Sequence, residues 1–353
     1  MLRAFRRRPE ALPHSPRPGP RNLITDVPGL TVGHAVDEAA RSGVTALLCP
    51  QGWVGAVDVR GGGPGIRESD VLRPENTFSR AHAIALSGGS VFGLGAADGV
   101  VAALSAAGHG LRLAAGSPAI PIVPGAVLHD LGNGGDKAWG LEPPYRALGL
   151  AAVAAAGEVF PLGSVGAGRG AMAGLHKGGV GSASLDLGEG LVVGALAAVN
   201  PVGSVYMADG EAFWAWPFEI DGEFGGVRPD PSARAVDPVP DDSKLAALGR
   251  FTAGANTTLA VVATTAALTT AEATRLAMMA QDGLARAIRP AHTPFDGDVV
   301  FALSSGAVEI GEGPARSVTI ARLGSAAADT LARAIARGVY SARSGGGGAV
   351  SAP

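Results

Sequence analysis

The chain has 353 residues, of which 47% are hydrophobic and 17% charged, and its formal net charge is −3. This composition allows a large buried core in one big domain or two ordinary ones, and it excludes the basic field that nucleic acids or anionic lipids require in a protein partner. The single cysteine, Cys49, excludes an internal disulfide and a cysteine-based zinc site, and it favours a reducing cytoplasm.

The first residues resemble the charged start of a signal peptide but not its apolar segment. Four arginines up to Arg8 are followed by five prolines from Pro9 to Pro20, where that apolar segment should stand. We therefore predict that residues 1–21 form a disordered arm. Nowhere do about 18 apolar residues run without glycine or charge, so no membrane span is predicted.

Short apolar runs bounded by glycine or proline predict buried strands along most of the chain. These runs are residues 44–48, 83–86, 191–199, 259–262 and 299–303. Longer apolar patterns predict helices at 91–107, 271–288 and 326–340. The second helix has the clearest start, because Thr269 and Glu272 have the spacing of a capping box. The residues by themselves therefore predict a protein of mixed α and β structure.

Two stretches lack such patterns. Residues 225–250 hold four prolines and several aspartates, which predicts a solvent-exposed loop or a disordered segment. The glycine-rich end, about residues 341–353, predicts a flexible tail.

Three glycine clusters, at 61–65, 87–90 and 166–174, invite comparison with phosphate-binding loops. The third matches the relaxed fingerprint G-x-G-x-x-A of dinucleotide-binding folds, which needs a helix directly after it. Gly174, Gly178 and Gly179 interrupt any such helix. We therefore interpret the clusters as tight turns and places of close backbone packing.

The stretch FTAGANTTLAVVATTAAL, residues 251–268, places Asn256 and Thr257 at the start of a predicted buried strand, just after the proline-rich segment. A threonine within a chain is a poor nucleophile. At a new N-terminus it carries its own base, since an α-amino group has a pKa of about 7.7–8.0. Attack of Thr257 on the Asn256 carbonyl would create that terminus. The alternative is that these two residues simply begin a strand.

A second candidate is HTPFDGDVVFALSSG, residues 292–306. If the backbone there is extended, Asp296 and Asp298 point to one side and can orient a hydroxyl or hold an ammonium. Asp-Gly before a strand is also a strong turn signal, so a turn is the alternative. His292 fits a structural hydrogen-bond donor as well as a catalyst.

Two single residues complete the candidates. Asn200 ends the predicted strand at 191–199, where its amide can donate to a developing oxyanion; an Asn-Pro turn is the alternative. Lys177 lies in the glycine-rich loop GLHKGG, and a solvated surface lysine is the alternative to a catalytic role.

Together these stretches resemble the DmpA family of self-cleaving N-terminal-nucleophile hydrolases, which includes the β-peptidyl aminopeptidases and the nylon-oligomer hydrolase NylC. The resemblance extends from about Ile24 to Tyr340, and its specificity lies in the order and spacing of its motifs. These motifs are ITDVPGLTVGHA, GVTALLCP, AVDVRGGGPG, ALSGGSVFGL, GAGRGAMAG, NPVGSVY, ANTTLAVVAT and HTPFDGDVVFAL.

The resemblance implies that the chain cuts itself between Asn256 and Thr257, and that Thr257 is then the nucleophile. It places Asn200 on the oxyanion side and gives Lys177 the role of the catalytic lysine of the nylon-oligomer branch. No metal or organic cofactor is implied.

Asp296 and Asp298 resemble the two positions of the family that orient the nucleophile, where the aminopeptidases carry Ser and Glu. The aminopeptidases also hold the free amine of the substrate with an acidic residue. In the matching stretch, PIVPGAVLHDLGNGG, only Asp130 can do so. Asn-Thr at the cut and Asp-Gly-Asp downstream resemble the nylon-oligomer branch, which favours hydrolysis of linear amides at internal bonds, as in 6-aminohexanoate oligomers. Aminopeptidase action, and an uncleaved binding protein on the same fold, are the alternatives.

For the fold, the resemblance implies an α/β protein with a four-layer αββα sandwich. One precursor would give two chains that stay together: residues 1–256, of which 22–256 follow the arm and belong to the single domain, and residues 257–353. The family also forms symmetric assemblies, so we expect a homo-oligomer of two-chain protomers, a tetramer in the first place.

Overall fold

The structure is a computed structural model that describes residues 15–208, 210–234, 237–247 and 256–343. Its strands are β1 (Thr31–Asp37), β2 (Ser42–Val59), β3 (Gly65–Arg67), β4 (Arg80–Ser87), β5 (Gly125–Val127), β6 (Met172–Ala173), β7 (His176–Lys177), β8 (Gly179–Asp186), β9 (Val192–Asn200), β10 (Thr257–Ala266) and β11 (Val299–Val308). Its helices are α1 (Ala96–Ala106), α2 (Tyr145–Ala154), α3 (Thr270–Ala280), α4 (Asp282–Ala287) and α5 (Gly313–Arg343). The predicted mixture of strands and helices is confirmed.

Within the described residues, nine strands form one sheet in the order β3, β5, β4, β2, β11, β10, β9, β8, with β1 paired to β2. Only β10 with β11 and β4 with β5 are parallel pairs there. The 18-residue β2 connects two parts of the sheet, because Ser42 to Leu48 pair with β1 whereas Val54 to Val59 pair with β11. It also pairs with β4, on both sides of a shift in register between Leu48 and Trp53.

Among the described residues, three apolar cores pack the sheet against the helices and against itself. The first lies between one face of β9, β10 and β11 and the helices α3, α4 and α5. The second joins the opposite face of these strands to β2 and β4, and the third lies between the other face of β2 and β4 and the helices α1 and α2. Strands β10 and β11 are buried on both faces, which explains why they read as continuous apolar runs in the sequence.

The helix predicted at 271–288 has the expected start but is shorter than predicted. The predicted capping box is present: the Thr269 hydroxyl accepts from the Glu272 N–H, and the Glu272 carboxylate accepts from the Thr269 N–H. The predicted helix 271–288 is divided into α3 and α4. Gly283 brings α4 close to α5, since a Cβ there would lie 2.5 Å from the Ala328 carbonyl oxygen. Among the described residues, no helix combines the length and the apolar character needed to cross a membrane.

The end of the predicted disordered arm is paired with β8. Backbone bonds join Arg17 and Asp186 in both directions, at 3.2 and 2.7 Å, and the Gly19 N–H donates to the Ser184 hydroxyl at 3.0 Å. Residues 1–14 of the arm and 344–353 of the predicted tail lie outside the described residues.

A buried ion pair fastens α5 to the N-terminal segment and to the loop after β9. Arg333 donates to both oxygens of Glu223, at 2.5 and 3.0 Å, and to the Ser184 carbonyl oxygen at 2.8 Å. Asn22 donates to the same carboxylate at 2.7 Å, and the Arg337 guanidinium lies 3.5 Å away. The Arg333 and Glu223 side chains are 2% and 7% exposed. Removal of the carboxylate would leave buried positive charge without its partner.

We expect Glu223→Ala to lower the free energy of unfolding by about 3–5 kcal/mol, the usual cost of breaking a buried ion pair from one side. The matched control is Glu38→Ala, which removes the partner of Arg169 from a pair whose glutamate side chain is 67% exposed. That loss should be below about 1 kcal/mol. Guanidinium unfolding followed by circular dichroism measures both losses, in chains that also carry Thr257→Ala and so stay in one piece, and equal losses in the two variants would contradict the structural role of Glu223.

Candidate active site

Thr257 is the first residue of β10, and the neighbouring strands decide which side chains it meets. It pairs with Asn200 at the end of β9, and Asn256 before it forms an isolated parallel bridge with Asp296. Thr257 is 2% exposed. The register of three strands therefore brings together predicted residues that lie far apart in the sequence.

The carbonyl group of Asn256 lies between two donors. The backbone N–H of Gly297 donates to its oxygen at 2.8 Å, and the Thr257 hydroxyl donates to the same oxygen over a short contact. A Cβ at position 297 would lie 2.6 Å from the Thr257 Oγ1 and 2.8 Å from the Gly63 carbonyl oxygen. Only glycine at position 297 therefore allows the backbone to lie so close to the Thr257 hydroxyl and to the Gly63 carbonyl oxygen.

Asp298 fixes the strand next to Thr257. One carboxylate oxygen accepts from the Thr258 N–H at 2.8 Å. The other accepts from the His292 backbone N–H at 3.0 Å and lies 2.9 Å from His292 Nδ1. Asp298 is 1% exposed, so these bonds replace water around the carboxylate. His292 therefore holds Asp298, which in turn holds the residue after Thr257.

Asp296 fixes the turn that carries Gly297. One of its oxygens accepts from the Val202 N–H at 3.0 Å, and the other accepts from the Thr293 N–H and hydroxyl, at 3.0 and 2.6 Å. Burial, and after it the Asp298 carboxylate, raises the pKa of Asp296. Within the part of the chain that the structure describes, the two carboxylates bond to the turn and to the strand start rather than to the Thr257 hydroxyl.

Lys244 is a site residue that the sequence analysis missed. Its Nζ donates to the side-chain oxygen of Asn256 and to the Met172 carbonyl oxygen, both at 2.7 Å. Lys244 is only 7% exposed, and burial lowers its pKa to about 7, although the charge of Asp296 acts in the opposite direction. The prediction of an exposed or disordered segment at 225–250 is therefore wrong at this point. The short apolar run after Lys244, LAAL, was the available signal.

Asn200 and Lys177 both contact the glycine cluster at 166–174. The Asn200 side chain accepts from the Met172 N–H at 2.9 Å and donates to the His129 carbonyl oxygen at 3.2 Å. Lys177 Nζ donates to the Arg169 and Ala171 carbonyl oxygens, at 2.7 and 3.2 Å. Burial, followed by the nearby Arg169 charge, lowers the pKa of Lys177 to about 8. Lys177 is thus not a freely solvated surface lysine.

A cavity of about 370 Å³ opens at Thr257, and the other two glycine clusters contribute to its wall. Its lining residues are Gly63, Pro64, Gly65, Ile66, Ser90, Val91, Leu94, Val127, His129 and Thr257. Aliphatic side chains make up about half of these lining residues, and none of the ten carries a carboxylate. A flexible apolar chain can therefore lie beside the Thr257 hydroxyl.

Asp130 is not one of the lining residues. It is fully buried, and it accepts from the Ser42 hydroxyl and from the Gly89 N–H, both at 2.7 Å. Burial raises the pKa of this carboxyl group, while the two hydrogen bonds act against that rise. The geometry makes Asp130 a support of the glycine cluster at 87–90 behind the cavity wall. Across the described ranges, no three His, Cys, Asp or Glu side chains come together in a way that could hold a metal ion.

Comparison with known proteins connects this geometry to a family. The model of peptidase family S58 matches residues 22–350. An uncharacterised aminopeptidase of Mycobacterium tuberculosis is 45% identical over 337 residues, which cover 91% of this chain and 94% of that protein. The 6-aminohexanoate-oligomer endohydrolase of Kocuria sp. is 31% identical over 312 residues, covering 85% of this chain and 79% of that protein.

A solved structure supports the fold. The L-aminopeptidase D-Ala-esterase/amidase of Ochrobactrum anthropi, described as a new variant of the Ntn-hydrolase fold, superposes with a TM-score of 0.65. The superposition covers 94% of this chain and 89% of that one, at 20% identity. The mixed sheet with helices is therefore an α/β fold of the Ntn-hydrolase type.

Proposed function

The chain belongs to peptidase family S58 and is therefore a hydrolase, and on that premise we propose that it cuts itself before Thr257 and then hydrolyses linear amides with Thr257 as nucleophile. The observation that carries the proposal is the Asn256 carbonyl, held between the Gly297 N–H and the Thr257 hydroxyl. The hydroxyl is already beside the group it attacks. The N–H is already placed to stabilise the oxyanion that forms there.

The proposed cut proceeds in two steps, formation of an ester and its hydrolysis. The Thr257 Oγ1 bonds to the Asn256 carbonyl carbon, the bond from that carbon to the Thr257 nitrogen breaks, and the hydroxyl proton ends on the nitrogen. The product is an ester with a free α-amine. Water then hydrolyses the ester, which leaves a carboxylate on Asn256 and restores the hydroxyl of Thr257.

In turnover, the same hydroxyl attacks the amide carbonyl of a substrate. The free α-amine accepts the hydroxyl proton, since its pKa of about 7.7–8.0 suits a base near neutral pH. The departing amine of the substrate takes up the proton, and water hydrolyses the ester. Asn200 supports the oxyanion from β9, and Lys177 fixes the loop beside Asn200 through two backbone carbonyl groups.

The wider architecture belongs to the same proposal. The three cores support a four-layer αββα arrangement, in which two parts of the bent sheet face each other. A homotetramer of two-chain protomers is proposed from the family resemblance alone. A reducing, cytoplasmic location is proposed from the single cysteine of the sequence, Cys49, which allows no internal disulfide.

Self-cleavage is tested on a denaturing gel with N-terminal sequencing. We expect the purified protein to contain two chains, residues 1–256 and 257–353, the second beginning TTLAV. Thr257→Ala should remain one chain and should not hydrolyse amides, because it lacks the attacking oxygen. A fully active preparation that stays a single chain would rule out the mechanism and favour the uncleaved alternative.

Gly297→Ala tests the close approach at the scissile carbonyl. The added Cβ would meet the Thr257 Oγ1 at 2.6 Å, so we expect self-cleavage to slow by about 10² or more, comparable to the loss of an oxyanion donor. The matched control is Gly132→Ala, where a Cβ meets nothing within 4 Å. Intact-mass spectrometry gives the rate of conversion. Normal cleavage in Gly297→Ala would show that this contact is unimportant.

The cavity supports a substrate with an aliphatic chain. Each buried methylene contributes about 0.8 kcal/mol, whereas an ammonium group buried in this wall would lack a carboxylate partner. The similarity to the 6-aminohexanoate-oligomer endohydrolase of Kocuria sp. supports the same choice. The second candidate is an aminopeptidase, which the printed name of the relative from Mycobacterium tuberculosis favours.

Product analysis over time distinguishes the two. We expect the matured enzyme to cut linear 6-aminohexanoate oligomers at internal bonds, so that mid-sized products appear first, and to act less well on aminoacyl anilides. Acetylation of the amino end of the oligomer is the control and should change the rate little. Single residues released from the amino end at once, and stopped by acetylation, would favour the aminopeptidase.

A further inference from the structure

The segment before the proposed cut is fixed to the body of the protein near Lys244. The backbone N–H of Lys244 donates to the Val202 carbonyl oxygen, and the Leu175 N–H donates to the Asp242 carbonyl oxygen, both at 2.8 Å. The Asp242 carboxylate accepts from the Ser204 hydroxyl at 2.5 Å and lies 2.9 Å from His176 Nε2. The backbone on either side of Ser243 is therefore anchored to the ordered structure.

This anchoring directs the Lys244 side chain at Asn256. The Nζ donates to Asn256 Oδ1 at 2.7 Å, and the Met172 carbonyl oxygen accepts a second bond at the same distance. Lys244 and Asn256 are 7% and 2% exposed, so neither side chain can readily exchange its partner for water. Burial of an ammonium group is costly. A buried lysine whose side-chain partner is a neutral amide therefore indicates a specific role for that contact.

We propose that Lys244 is a positioning residue for self-cleavage, which holds the side chain of Asn256 so that the Asn256 carbonyl stays between the Gly297 N–H and the Thr257 hydroxyl. The inference rests on the proposed function and deepens it. Rotation of the Asn256 backbone would move its carbonyl away from the Gly297 N–H and the Thr257 hydroxyl. Lys244 holds the side-chain oxygen of Asn256 and Gly297 holds its carbonyl oxygen, and together the two bonds oppose that rotation. Lys244 acts through Asn256, because its bonds go to Oδ1 and not to the scissile carbonyl.

The first measurement compares Lys244→Met with the wild-type chain. Methionine keeps the length of the side chain but cannot donate, so we expect the uncut chain to accumulate and conversion to slow at least tenfold. The control is Lys137→Met, at a half-buried lysine that also donates to a backbone carbonyl, that of Ala40. It should convert normally. Melting temperatures of Thr257→Ala chains with and without Lys244→Met show whether the fold is kept.

The second measurement separates positioning from a general structural effect. In Asn256→Ala chains the side chain that Lys244 holds is absent, so adding Lys244→Met should not slow conversion further. Should Asn256→Ala convert too slowly to measure, Asn256→Asp replaces it. The carboxylate then depends on the ammonium, so Lys244→Met should slow Asn256→Asp more than it slows the wild type.

Two results would overturn the inference while leaving the proposed function intact. One is conversion of Lys244→Met at the wild-type rate. The other is the same fold-change from Lys244→Met whichever residue stands at position 256. A wild-type chain that never converts would instead overturn the proposed function, and this inference with it.

Discussion

The hydrogen bond from the Gly297 N–H to the Asn256 carbonyl oxygen is the contact on which the arrangement of the site depends. It continues the parallel pairing of β10 and β11 beyond the ends of both strands. The carbonyl of the proposed cut is thus positioned by the same kind of interaction that holds the sheet together. The carboxylates of Asp296 and Asp298, on either side of Gly297, fix this turn through bonds to Val202, Thr293, Thr258 and His292.

Backbone packed directly on backbone makes this turn rigid. A Cβ at Gly61 would lie 2.2 Å from the Asp298 nitrogen, and one at Gly62 would lie 2.7 Å from the Pro294 Cα. The cluster at 61–65 therefore supports the turn from behind while it lines the cavity in front. Gly61, Gly62 and Gly297 serve close approach rather than flexibility, and no side chain has to be ordered at these contacts.

Sequence patterns predicted the elements that are buried on both faces, and they missed those whose burial depends on distant partners. Strands β10 and β11 gave continuous apolar runs. Helix α5 begins at Gly313, well before its predicted start at 326, and the pattern missed its first turns because they are mostly exposed. Thr257, Asn200 and the two aspartates could be proposed from motifs. Lys244 could not, because only the folded chain shows that its Nζ reaches Asn256. Nor could the sequence show that Asp130 is fully buried and bonds to Ser42 and Gly89.

The position of β10 has a consequence for the lifetime of the molecule. It lies between β9 and β11, and β11 pairs in turn with β2. The part of the chain after Asn256 therefore begins with a strand in the middle of the sheet. If the proposed cut occurs there, the released chain would stay in place because two ladders and two cores surround it. Refolding after denaturation would become a bimolecular reaction, without the tether that first brought the strands together. Such a protein owes its persistence to slow unfolding rather than to equilibrium, and heating would inactivate it irreversibly.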